Sequence, residues 1–112
     1  MLGAMFRNQK IKPWEIPAHP GESAADHKER RRQAYFQEQR VNNVERFKRM
    51  DFQFDVSGLR VLDLGCGHGA LSISLAERGA SEVIGLDLDD DRIDFANRTL
   101  QTSFPELQNR IR

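Results

Sequence analysis

Three glycines at alternate positions, Gly65, Gly67 and Gly69, follow an aspartate, Asp63, in the stretch VLDLGCGHG. A second aspartate, Asp87, ends the next apolar run, SEVIGLDL. Glycine lets a tight turn take dihedrals closed to other residues, and it removes the Cβ atoms that hold a ligand off the backbone. A helix starting near Gly69 exposes unpaired N–H groups and the positive end of its dipole, so a polar or anionic group fits there. Asp87 lies 22 residues after Gly65, at the carboxyl end of a strand. A carboxylate in that place accepts both hydroxyls of an adenosine ribose. These residue types at this spacing point to a nucleotide-like cofactor.

The dinucleotide-binding fingerprint competes for the same loop. GCGHGA satisfies G-x-G-x-x-A with Gly65, Gly67 and Ala70, which leaves an NAD(P)- or FAD-binding oxidoreductase as the alternative. Asp63 argues against it. It stands near the end of the first strand, with Leu62 and Leu64 on the other sheet face. A carboxylate beside a pyrophosphate is repulsive, whereas the same carboxylate can approach an ammonium directly or through water. A cofactor with adenosine at one end and an amino acid at the other meets both requirements, and S-adenosylmethionine is built that way.

The segment resembles the first glycine-rich motif and the following acidic strand of class I S-adenosylmethionine-dependent methyltransferases. Val61 to Gly69 match that family's pattern of apolar, apolar, acidic, apolar, G-x-G-x-G, and VIGLDLD matches its second strand. The resemblance spans about Leu59 to Arg98, 40 of 112 residues. It implies that Gly65, Gly67 and Gly69 pass beneath the cofactor, that Asp63 lies near its methionyl end, that Asp87 holds the ribose and that Leu88 lies against the adenine. His68 stands where many members carry a small hydroxyl residue. An imidazole there can still cap the helix or touch the cofactor carboxylate; a catalytic base is the competing role. Cys66 is common at its position in the family and is expected to pack behind the loop. Both count with the loop as cofactor-binding. The motifs are silent on the methyl acceptor, and no catalytic base is evident.

The elements that must position these residues follow from periodicity. LRVLDLG reads as a short strand, ALSISLAERG as a helix stopped by Gly79, and SEVIGLDL as a second strand. DDDRIDFANRTLQTSF reads as a second helix, with Ile93, Phe95, Ala96 and Leu100 apolar and Pro105 closing it. One of Asp89, Asp90 and Asp91 is expected to cap that helix. Three consecutive carboxylates diverge on a helix, so no metal site is expected. The terminal RIR can open a third strand. Upstream, residues 24 to 50 lack proline and glycine, and Ser23 and Asp26 have capping-box spacing. Phe36, Val44 and Phe47 fall near one face, with Val41 and Met50 alongside. One long helix is expected, or two broken near Val41 to Asn43. Asp51 to Phe54 reads as a short extended piece and Asp55 to Gly58 as a turn. Residues 11 to 23, with prolines at 13, 17 and 20, read as irregular. Trp14 has three open readings there: an anchor, a mobile residue, or part of a lid.

The resulting expectation is an α/β chain: an irregular leader over 1–22, a mostly helical segment over 23–57, and over 58–112 the first part of a Rossmann-like domain. That part has two parallel strands with flanking helices, where the family implies a seven-stranded sheet. The chain therefore resembles the front of a larger methyltransferase and is expected to be inactive alone. A non-catalytic fragment or association module is the further alternative, since open strand edges invite self-association.

Composition adds few constraints. Formal net charge is zero, but residues 1–60 hold 12 Lys/Arg against 8 Asp/Glu, and residues 61–112 hold 5 against 9. The basic run KERRR reads as the solvated face of a helix, with contact to an anionic macromolecule as the lesser reading. Nucleic acid is thus not supported as a partner. A single cysteine permits no intrachain disulfide and no cysteine-based zinc site. No run is long enough for a membrane span and the first residues carry no secretory pattern, so the cytoplasm is the expected location.

Overall fold

The computed structural model describes residues 11–49 and 55–112. Its helices and strands run in the order α1 (Ala24–Arg49), β1 (Arg60–Leu64), α2 (Ala70–Glu77), β2 (Glu82–Leu86) and α3 (Asp90–Ser103), with short 3₁₀ turns at Pro13–Glu15 and Pro105–Leu107. The chain divides into two compact units, one ending at Tyr35 and one beginning at Phe36.

In the first unit the leader is tied down by polar contacts. Arg30 donates to the Glu22 carboxylate and to the Pro17 carbonyl, each at 2.8 Å. His27 Nε2 donates to the Ile16 carbonyl at 2.7 Å. The Ser23 hydroxyl accepts from the Asp26 amide at 3.0 Å and so caps the start of α1. Trp14 lies in the 3₁₀ turn with most of its surface exposed, while its neighbour Pro13 is buried.

In the second unit α1 continues without a break through Val41 to Asn43. The buried residues of α1 are Phe36, Asn43 and Phe47; Val41 and Val44 are exposed. At about 100° per residue, Asn43 and Phe47 fall within about 20° of Phe36, whereas Val44 lies about 80° away and Val41 about 140°. The helical period therefore selects a polar residue over two valines, and Val44, expected near the face of Phe36 and Phe47, stands to its side and is exposed. Asn43 pairs with a polar partner, donating to the Ser74 hydroxyl of α2 at 3.5 Å. Met50 and Asp51 to Phe54 lie outside the described residues.

β1 and β2 pair in parallel, with Val61 opposite Val83 and Asp63 opposite Gly85. Side chains alternate across a strand. Val83, on the helix-covered face, is fully buried and joins the core of Ile73, Ala76, Phe95 and Leu100. On the opposite face Leu62, Leu64 and Leu86 are each more than half exposed. Ile111 forms a parallel bridge with Val83, and the amide of Gly85 donates to the Arg112 carbonyl at 2.9 Å. The terminal residues thus run alongside β2 as an isolated bridge, outside the two-stranded sheet. Pro105 ends α3 as expected. No described helix is long and apolar enough to cross a membrane.

Candidate functional site

The loop from Leu64 to Ala70 leaves β1 and enters α2. Gly65, Gly67 and Gly69 have φ of 73°, 54° and 86°, all in the left-handed region. A side chain at any of them is strained, which accounts for glycine at each alternate position. Gly69 has a second constraint: a Cβ there would stand 3.1 Å from the Cβ of Ala96, so the start of α2 packs directly on α3. At Gly65 a Cβ would meet nothing within 4 Å. Open space lies over the loop at that point.

Asp87, just past the end of β2, organises the loop from the side. Its Oδ2 accepts from the Gly67 amide at 2.8 Å and its Oδ1 accepts from the Asp89 amide at 2.9 Å. These two backbone donors, that of Asp89 first, hold the carboxyl below the usual aspartate range. A carboxylate offers about four acceptor positions, so both oxygens keep capacity for a ligand hydroxyl. Leu88, the next residue, is fully exposed. Asp89 then caps α3, accepting from the Arg92 amide at 3.2 Å.

Asp63 faces the helix side of the sheet and is 8% exposed. Its carboxylate Oδ2 accepts from the hydroxyl of Ser72 on α2 at 2.7 Å. No lysine or arginine pairs with it among the described residues. Burying a carboxylate with so little compensation is costly and favours a cationic or donating partner close by. Cys66 turns beneath the loop. A Cβ on Gly85 would stand 2.9 Å from its sulfur, so the glycine in β2 makes room for this side chain. Burial first, then the charges of Asp63 and Asp87, push the thiol above its ordinary range, which keeps it protonated and a poor nucleophile. The His68 ring lies edge-on to Phe95, centroids 5.0 Å apart. The side chains of Cys66 and His68 are thus engaged in packing, and their backbone is what borders the loop.

All the residues singled out in the sequence, Asp63, Gly65 to Gly69, Asp87 and Leu88, gather at the carboxyl ends of β1 and β2. Two contributors escaped the sequence reading. Ser72 is one of two serines in the mostly apolar α2, and Gly85 interrupts a β-branched strand; neither has a reason in the sequence alone. The local field is negative, from Asp63, Asp87 and Asp89. That field suits a ligand bearing hydroxyls and an ammonium and opposes a pyrophosphate. An adenosine joined to an amino acid fits this donor and acceptor set: acceptors at Asp87, an exposed apolar residue at Leu88, open space over Gly65, and a sparsely compensated carboxylate at Asp63.

Comparison with known proteins agrees with this chemistry. A family model described as a methyltransferase domain matches residues 55–109. The chain is 48% identical over 48 residues to YqeM of Bacillus subtilis (strain 168), a proposed methyltransferase, an alignment covering 43% of this chain and 19% of that protein. It is 40% identical over 57 residues to magnesium-protoporphyrin O-methyltransferase of Rhodobacter capsulatus, covering 51% and 24%. Among solved structures, magnesium protoporphyrin IX methyltransferase of Synechocystis PCC 6803 with bound S-adenosylhomocysteine superimposes with a TM-score of 0.50 at 27% identity, covering 98% of this chain and 47% of that one. A Methanococcus maripaludis structure at 19% identity, TM-score 0.56, covering 87% and 44%, shares the fold. The chain spans less than half the length of each of these proteins.

Proposed function

We propose that this protein is the cofactor-binding portion of a class I S-adenosylmethionine-dependent methyltransferase, a reading supported by the methyltransferase-domain match over residues 55–109 and by the likeness to a methyltransferase solved with bound S-adenosylhomocysteine. S-adenosylmethionine is the cofactor of that family and of this domain. One observation carries the reading to this chain's own residues. A left-handed glycine loop is held at Gly67 by Asp87, beside a buried Asp63 that has a single donor among the described residues. When bound, the cofactor supplies an activated methyl group on a positively charged sulfur. The chain's residues hold and orient it: Asp87 accepts the ribose hydroxyls, Leu88 covers the adenine, the glycines admit close backbone approach, and Asp63 faces the ammonium with negative charge. None of these roles moves a proton. The remaining work is to place the acceptor in line and exclude water, and that falls to residues outside those described.

It follows that residues 1–112 bind cofactor and transfer no methyl group on their own. Two facts support this: the chain covers 47% of the superimposed methyltransferase, and Leu62, Leu64 and Leu86 leave one sheet face uncovered where a parallel sheet is ordinarily covered on both. The same face and the open edge of β1 favour self-association of the isolated chain. The proposed location is the cytoplasm. Backbone amide NMR tests the site. Titration with S-adenosylhomocysteine is expected to shift Gly65 to Gly69 and Asp87 to Asp89 and to leave α1 unmoved. Shifts confined to α1, or none at all, would contradict the assignment. A radiolabelled transfer assay on residues 1–112 is expected to stay blank, and turnover would overturn the view that the acceptor machinery lies elsewhere.

A further inference from the structure

We propose that Ser72 is a positioning residue for the amino-acid end of the cofactor, acting through Asp63. The inference rests on the cofactor reading above. Two serines lie two residues apart in α2, on opposite faces of the helix, and behave differently. Ser74 donates back to the carbonyl of Ala70 at 2.9 Å, the ordinary use of a helical hydroxyl. Ser72 forgoes that bond and reaches out of its helix to Asp63 Oδ2 at 2.7 Å. Both partners are buried, Ser72 at 2% exposure and Asp63 at 8%. Ser72 supplies the only hydrogen bond to that carboxylate among the described residues.

The placement has a mechanical consequence. Asp63 sits on the strand that enters the glycine loop, and Ser72 sits on the helix that leaves it. The hydroxyl therefore bridges the two ends of the loop and fixes the rotation of the carboxylate. With Oδ2 engaged, Oδ1 is the oxygen left to accept from a ligand. Gly85 leaves room for this hydroxyl, whose oxygen lies 3.3 Å from where a Cβ at that position would be. A rigid carboxylate presenting one oxygen is what selective recognition of a primary ammonium requires. A freely rotating one loses part of its binding energy to ordering.

The test compares two probes by calorimetry on the full chain. S-adenosylhomocysteine carries the amino-acid end; methylthioadenosine shares the nucleoside and thioether but lacks it. Ser72→Ala is expected to weaken S-adenosylhomocysteine about tenfold, one charge-assisted contact, and methylthioadenosine by less than about twofold. Ser72→Thr, which keeps the hydroxyl, should restore most of the loss. Asp63→Asn should give the same selective loss, and adding Ser72→Ala to it should cost nothing further, as expected for residues acting as one unit. Should Ser72→Ala fail to fold, Ser72→Cys keeps the volume with a weaker donor and carries the same comparison. Equal weakening of both probes would show a merely structural role and overturn the proposal, as would no change in either. A wild-type chain that binds neither probe would overturn the cofactor reading itself, and this inference with it.

Discussion

Asp87 holds two backbone amides, one in the loop and one at the start of α3, before any ligand arrives. The ribose role is the proposal from its spacing; the two amides show a scaffold role. Asp87→Ala should therefore do two things. It should weaken S-adenosylhomocysteine by roughly tenfold or more, and it should also lower the melting temperature of the ligand-free chain by leaving two amides without their acceptor. Asp87→Asn keeps one acceptor oxygen and should fall between wild type and alanine in both measurements. An unchanged dissociation constant for Asp87→Ala would show that the ribose is held elsewhere. Much of the site was legible at this scale because glycine spacing and a carboxylate in an apolar strand have few cheap explanations. Ser72 was not legible, because its partner is nine residues away and joined only by the turn between them.

At the scale of elements, the contact of Cys66 with Gly85 couples the loop to β2. Gly85→Ala adds a Cβ 2.9 Å from the sulfur and 3.1 Å from the Cys66 Cβ. Overpacking of this kind costs about 1–3 kcal/mol. Denaturant melts should show that loss, and Cys66→Ala should recover only part of it, since the cysteine Cβ remains. Full additivity of the two changes would mean that they do not meet. In the first unit, Arg30 and the His19 amide hold the Glu22 carboxyl down to about 2 from its ordinary 4.5. A depressed folded-state value stabilises above the unfolded value and is lost as protons bind. The contribution of Glu22 should thus be complete above about pH 4.5 and disappear as pH falls through about 2. Carboxyl NMR gives the midpoint directly; a Glu22 midpoint near 4.5 would mean that the ion pair is not formed in solution. The elements themselves were readable from period and punctuation, and the terminal RIR, read as able to open a third strand, forms an isolated bridge at Ile111. On α1 the buried place belongs to Asn43, which hydrophobicity does not reveal but the helical angle does, while Val44 is exposed.

For the molecule as a whole, function follows from what the visible elements complete and what they leave open. They complete a glycine loop, a carboxylate at Asp87 that holds it, and a buried carboxylate at Asp63, all at the carboxyl ends of two strands. They leave one sheet face and one strand edge without partners among the described residues, so the acceptor could not be read from sequence or from structure. The central claim is the identity of the cofactor, and its most direct test is calorimetric titration of this chain with S-adenosylhomocysteine and, separately, with NAD. Saturable binding of S-adenosylhomocysteine is expected, and none of NAD, whose pyrophosphate would face Asp63 and Asp87. Binding of NAD without S-adenosylhomocysteine would contradict that claim.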